Sequence, residues 1–205
     1  MPWPDLSRID SWMESAEERL GRHFAFLLAW VALLAAVEAA DQFGPWHLDT
    51  AGIRPRSWSG MAGILAAPFL HAGWSHLISN AVPLAGLAWL TLFIGWRRFW
   101  IVTALTALGS GGAVWAFGPA DRIHLGASAL VFGYLGHLLV YGLVRRSPAW
   151  ILAGVIVALL YGSLLQGLWG ESAMDGSVSW IGHASGFAVG MAAAIFPLHR
   201  AAPDQ

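Results

Sequence analysis

Five polar side chains with chemical capacity stand within otherwise apolar stretches of this chain: His71, His76, Asn80, Ser128 and His183. Burying such groups in hydrocarbon is costly unless they are paired, so each is a candidate for function. A serine hydroxyl becomes a nucleophile when a neutral imidazole takes its proton, and imidazole titrates near neutral pH. Ser128 and His183 are therefore a candidate nucleophile and base. No Asp or Glu lies deep in an apolar stretch, Glu38 being near the end of the first, so a dyad rather than a triad is expected. His76 and Asn80, spaced i and i+4, share a helical face and could donate to an oxyanion. One such donor is typically worth about 3 kcal/mol of barrier. Ser128 follows Gly126 at the start of a predicted helix, where backbone N–H groups are unpaired and the dipole favours negative charge. Phe132, one turn further on, could lie against the imidazole and hold its ring.

The elements that must position these groups are membrane helices. Of 205 residues, 57% are hydrophobic and only 11% charged, with 13 Trp, whereas a soluble domain carries about a quarter charged residues. Six stretches are long enough to span hydrocarbon: Phe24–Ala40, Trp74–Gly95, Phe99–Phe117, Gly126–Val144, Ala149–Trp169 and Trp180–Leu198. Many Trp fall near their ends, as an interfacial belt requires. Between the first two, Trp58, Met61, Ile64, Leu65, Phe69 and Leu70 form an apolar segment too short to span, expected to lie in the interface. Residues 1–22 are acidic and lack a signal-peptide core; Leu6, Ile9, Met13, Ala16 and Leu20 recur at helical spacing, predicting a cytoplasmic amphipathic helix. Residues 23–199 form one six-helix domain, and 200–205 a short cytoplasmic tail.

With the N-terminus inside, the inner loops hold eight arginines and the outer loops three, Arg54, Arg56 and Arg122. The positive-inside rule favours that orientation, with both termini cytoplasmic. The second, fourth and sixth spans then all begin at the outer face, and each carries its polar groups in its first two turns. At 1.5 Å per residue these groups fall within roughly 10 Å of that face. Gly182, Gly186 and Gly190 give the sixth span a small-residue stripe, and Gly126, Ala129, Gly133 and Gly136 give the fourth another. Two smooth faces packed together would bring Ser128 toward His183. The same glycines could equally serve packing alone.

Taken together, His71-AGWS-His76-LIS-Asn80, Gly126-Ala-Ser128-Ala129 and His183-AS-Gly186-FAV-Gly190 resemble the rhomboid family of intramembrane serine proteases, over nearly all of Gly60 to the end of the sixth span. The resemblance implies an all-α membrane protein with the six-transmembrane-helix rhomboid fold and a membrane-embedded first loop. It implies cleavage of transmembrane segments near the outer face by Ser128, with His183 as base and His76 and Asn80 as oxyanion stabilisers. No metal or cofactor is implied. His71 matches a bracing position, with Gly126, Ala129, Phe132, Gly186 and Gly190 as supports of the site. Ala129 departs from the family's usual second glycine, and Phe132 stands where many members have Tyr. The alternative is a catalytically impaired rhomboid-like protein that binds membrane clients.

The expected partners are transmembrane protein substrates and the lipid bilayer, in a bacterial inner membrane; no basic run suggests nucleic acid, and oligomeric state is left open. The absence of cysteine excludes disulfides and thiolate chemistry. A metal site from His71 and His76 is disfavoured, because a spacing of five does not share a helix face. A channel would string polar groups through the bilayer's depth, whereas these cluster near one face. His137 is expected to make an interhelical hydrogen bond, and His23, His47, His124 and His199 to be surface groups.

Overall fold

The computed structural model describes residues 6–168 and 179–196. The described residues are all-α apart from one isolated bridge between Ile53 and His124. Its helices are α1 (Leu6–Phe43), α2 (Gly63–Ala66), α3 (Trp74–Ile94), α4 (Trp96–Phe117), α5 (Ser128–Arg145), α6 (Pro148–Tyr161) and α7 (Trp180–Ile195). Among the described residues, five helical stretches are long and apolar enough to cross a membrane, and α7 is a shorter apolar helix. Large apolar side chains are bared on the outside of the bundle, among them Phe24, Val82, Leu108 and Leu159. Water would penalise such a surface and lipid would not. The protein is a multi-pass membrane protein.

The helix boundaries follow backbone chemistry. Gly95 alone joins α3 to α4, at φ +140°, so the chain reverses with no loop. Gly126 has φ +117°, which delays the start of α5 to Ser128 rather than the expected Gly126. The third expected span, now α4, starts at Trp96 rather than Phe99, since nothing after Gly95 opposes helix. α6 opens with Pro148 at its first position and continues as a 3₁₀ stretch, Gly162–Leu168. α1 is continuous through residue 22, so the expected amphipathic segment and first span share one helix. Trp169, Glu171, Asp175, Leu198, His199 and the tail 200–205 lie outside the described residues.

α5 is the centre of the bundle, with every residue from Leu130 to Leu138 buried. A helix apolar on all sides packs against neighbours on all sides, and α5 meets α3, α4, α6 and α7. Tyr134 stacks on Phe99 with centroids 5.8 Å apart and hydrogen-bonds Thr103 through its hydroxyl. α6 is peripheral, with only Gly154 and Val157 buried. The segment between α1 and α3 packs on α4 through Ile64, where Gly111 leaves room. Trp58, Met61 and Leu65 of that segment remain exposed.

Two arginines close the far end of α7. Arg98, buried although charged, donates to the carbonyls of Ala193 at 2.8 Å and Phe196 at 3.3 Å. Arg145 donates to Phe196 at 3.2 Å. Both guanidinium groups sit over the Tyr141 ring. Cations at a helix C-terminus satisfy its free carbonyls and oppose its dipole.

Candidate active site

The approach to Ser128 is held from outside its own helix. Gly126 donates its N–H to the Ala67 carbonyl at 2.9 Å. Ala127 donates to Nε2 of His71, at a long 3.4 Å. His71 is 2% exposed and lies edge-on to His76, centroids 5.3 Å apart. Burial holds the His71 imidazole well below its ordinary 6.5, at about 4; the adjacent His76 ring adds to this, and the Phe69 backbone opposes it. His71 is thus a neutral acceptor for the loop in front of Ser128.

His76 and Asn80 come from the first two turns of α3. Ala72 N–H donates to His76 Nδ1 at 3.2 Å, which leaves the proton of the neutral ring on Nε2. That nitrogen faces Gly126: a Cβ there would lie 2.9 Å from His76 Nε2 and 3.7 Å from Asn80 Nδ2. Asn80 donates one amide proton to the His76 carbonyl at 3.0 Å. Glycine at 126 is required twice over, by its left-handed φ and by the imidazole beside it. So two side-chain donors lie beside Gly126, two residues before Ser128.

α5 and α7 meet along their small residues. A Cβ on Gly186 would be 2.5 Å from the Ala129 carbonyl oxygen, and one on Gly190 would fall on the Gly133 carbonyl. The partners in these two contacts are separated by the same number of positions, 57, so the helices run in the same direction in fixed register. The Phe132 ring stacks on the His183 imidazole, centroids 4.2 Å apart and planes 18° from parallel. Helical side chains lean toward the N-terminus, so this ring covers the turn that Ser128 opens. Ala129, the departure from the usual glycine, does not keep the helices apart: Gly186 rests over its backbone.

His183 is buried and Ser128 half-buried. A cavity of about 40 Å³ adjoins Ser128, lined also by Gly126, Ala129, Ser110, His124 and Gly182. That is space for water, which needs at least about 10–15 Å³ per molecule. Among the described residues no group of three His, Cys, Asp or Glu side chains could hold a metal ion.

Two histidines expected at the surface are buried. His23 is 6% exposed, edge-on to Phe93 and Trp96, because α1 packs over the corner where α3 meets α4. His124 is 7% exposed, and its ring bonds to Ser179 at 3.1 Å and to the Pro119 carbonyl at 3.2 Å. Neither an isolated histidine in a polar loop, His124, nor one beside charges within a helix, His23, carries a periodic signal of its partners. Glu38 is also buried, with Gln42 donating to it at 3.1 Å. His47 is exposed, and His137 bonds across to the Gly190 carbonyl at 3.3 Å, both as expected.

Known proteins are similar to this chain in sequence. An uncharacterised protein of Mycobacterium tuberculosis is 41% identical over 82% of this chain and 72% of its own length. One from Mycobacterium leprae is 42% identical over 82% of this chain and 68% of its own. A Bacillus subtilis protein described as a candidate rhomboid protease is 33% identical over 38% of this chain and 39% of its own. The model of the rhomboid domain matches residues 58–200, which takes in α2 through α7 and every group placed around Ser128. The chain belongs to the rhomboid family of membrane proteins.

Proposed function

We propose that this protein is an intramembrane serine endopeptidase that cuts transmembrane segments of other membrane proteins near the outer face. The observation that carries this reading is that His76 and Asn80 lie beside Gly126, two residues before Ser128, while His183 stacks on Phe132, one turn after it. In that arrangement His183 removes the Ser128 Oγ proton as the oxygen attacks a substrate carbonyl carbon. The resulting oxyanion takes hydrogen bonds from His76 Nε2–H, Asn80 Nδ2–H and the free N–H groups at the start of α5. The imidazolium returns its proton to the leaving amine, breaking the peptide bond and leaving an acyl-serine. Water, activated by the same imidazole, releases the acid and restores the hydroxyl. Stacking on Phe132 holds the ring as it gains and loses charge. A helix hides its carbonyls, so the substrate must present extended backbone at the site.

In this reading α7 completes six spans, both termini are cytoplasmic by the distribution of arginine, and the site lies a short way beneath the outer surface of a bacterial inner membrane. The exposed Trp58, Met61 and Leu65 support a first loop lying in the interface. A fluorophosphonate probe on detergent-solubilised protein is the test. Ser128 should take the label, and Ser128→Ala or His183→Ala should abolish it together with cleavage of a reporter transmembrane segment. Labelling unchanged in Ser128→Ala refutes the assignment. A folded wild type that takes no label and cleaves nothing favours a client-binding protein instead.

A further inference from the structure

The serine before α7 is turned away from its usual task. Ser179 occupies the position where a hydroxyl ordinarily caps a helix's own free N–H groups, but it makes no such bond. Its hydroxyl instead meets Nδ1 of His124, 3.1 Å away and 55 residues earlier in the chain. The other ring nitrogen, Nε2, lies 3.2 Å from the Pro119 carbonyl, which can only accept. The proton of the neutral ring is therefore on Nε2, and Nδ1 accepts from Ser179. Burial of the ring, the largest influence on it, lowers its proton affinity and favours this neutral form.

The main chain of His124 is tied as firmly. Its N–H and C=O exchange bonds of 2.9 and 2.8 Å with Ile53 in the first loop. One residue thus joins the first loop, the end of α4, the approach to α5 and the start of α7. Gly126 is two residues on and Ser128 four. On the other side, the Ser179 carbonyl accepts the N–H of His183 itself, at 3.0 Å. The imidazole therefore bridges the loop that delivers the nucleophile and the residue from which the base's first turn hangs.

We propose that His124 is a positioning residue: its bond to Ser179 orients the first turn of α7 so that His183 meets Ser128. This rests on the hydrolase reading above. His124 bonds to Ser179 and Pro119, and it lines the cavity beside Ser128. Its role is to hold α7, and proton transfer belongs to His183.

The test combines fluorophosphonate labelling rates with amide hydrogen exchange over the first turn of α7, on the full chain in detergent. Ser179→Ala and His124→Phe should each slow labelling about tenfold, the scale of one lost hydrogen bond. The double variant should be no slower than either single one, because both remove the same bond. His124→Gln, which keeps a donor and an acceptor, should recover most of the rate. Exchange at the His183 amide should speed up in Ser179→Ala, a substitution too small to unfold the protein. Labelling at the wild-type rate in the single variants, or additive slowing in the double, overturns the proposal. If the wild type takes no label while Ser179→Ala still loosens α7, the hydrolase reading fails and the anchor stands.

Discussion

Replacing Gly186 with alanine pits one methyl against a backbone oxygen that cannot move aside. The new Cβ would sit 2.5 Å from the Ala129 carbonyl oxygen, where ordinary contact begins at 3.4 Å. That oxygen belongs to the hydrogen-bond ladder of α5, so α7 must retreat by about 0.9 Å at this level. His183 lies one turn away on α7, and its 4.2 Å stacking on Phe132 opens with the same movement. Overpacking of this kind costs about 1–3 kcal/mol, partly offset by roughly 1 kcal/mol from the better helix propensity of alanine. Folding therefore survives, while a displacement near 1 Å between reacting groups can cost about a hundredfold in rate. The assay is the rate of fluorophosphonate labelling beside a thermal unfolding curve in the same detergent. Gly112→Ala is the control, since nothing lies within 4 Å of a Cβ there; it should leave the rate unchanged and the midpoint level or slightly raised. Labelling of Gly186→Ala within about threefold of wild type would refute the reasoning, because the seam would then have slack that its geometry denies.

Gly126→Ala should reduce cleavage by about a hundredfold or more, through left-handed strain and displacement of the His76 donor, read as kcat on a reporter substrate. Phe132→Leu removes a stacking contact worth about 0.5–1.5 kcal/mol, so kcat should fall up to about tenfold with KM unchanged. Arg98→Met strips the Ala193 carbonyl of its side-chain donor and should destabilise the protein by about 2 kcal/mol, measured by unfolding in a denaturing detergent. For His71, held at about 4 in the folded protein against 6.5 in the unfolded chain, the unfolded chain binds the proton first as pH falls. Its contribution is complete above about pH 6.5 and is lost as pH drops toward 4, by at most about 3 kcal/mol. Comparing wild type with His71→Gln across that window isolates the effect, and equal slopes would refute it.

The groups around Ser128 were legible because polar side chains stand out against apolar runs. Phe132 could be matched to His183 because a spacing of one turn fixes a shared face, and the stripes at Gly186 and Gly190 announced a close helix contact. The helix starts were less legible: α5 begins two residues late because Gly126 adopts a conformation that no periodic pattern encodes. His124 and His23 were misjudged for a related reason. Each owes its burial to partners distant in sequence, Ser179 for one and the α3–α4 corner for the other. A lone histidine in a charged neighbourhood reads as surface until tertiary packing is known. Glu38 likewise gave no sign that it would be enclosed.

The glycine seam between α5 and α7 has a mechanical consequence. Surfaces without side chains offer little resistance to one helix sliding lengthwise over the other, and a slip of one turn would carry His183 about 5.4 Å from its place. Arg98 and Arg145 act as an end stop against such travel, since any shift of α7 must first strip guanidinium groups from its terminal carbonyls. Alignment at the reacting end is thereby governed in part from the opposite end of the helix, by charges belonging to α4 and α5.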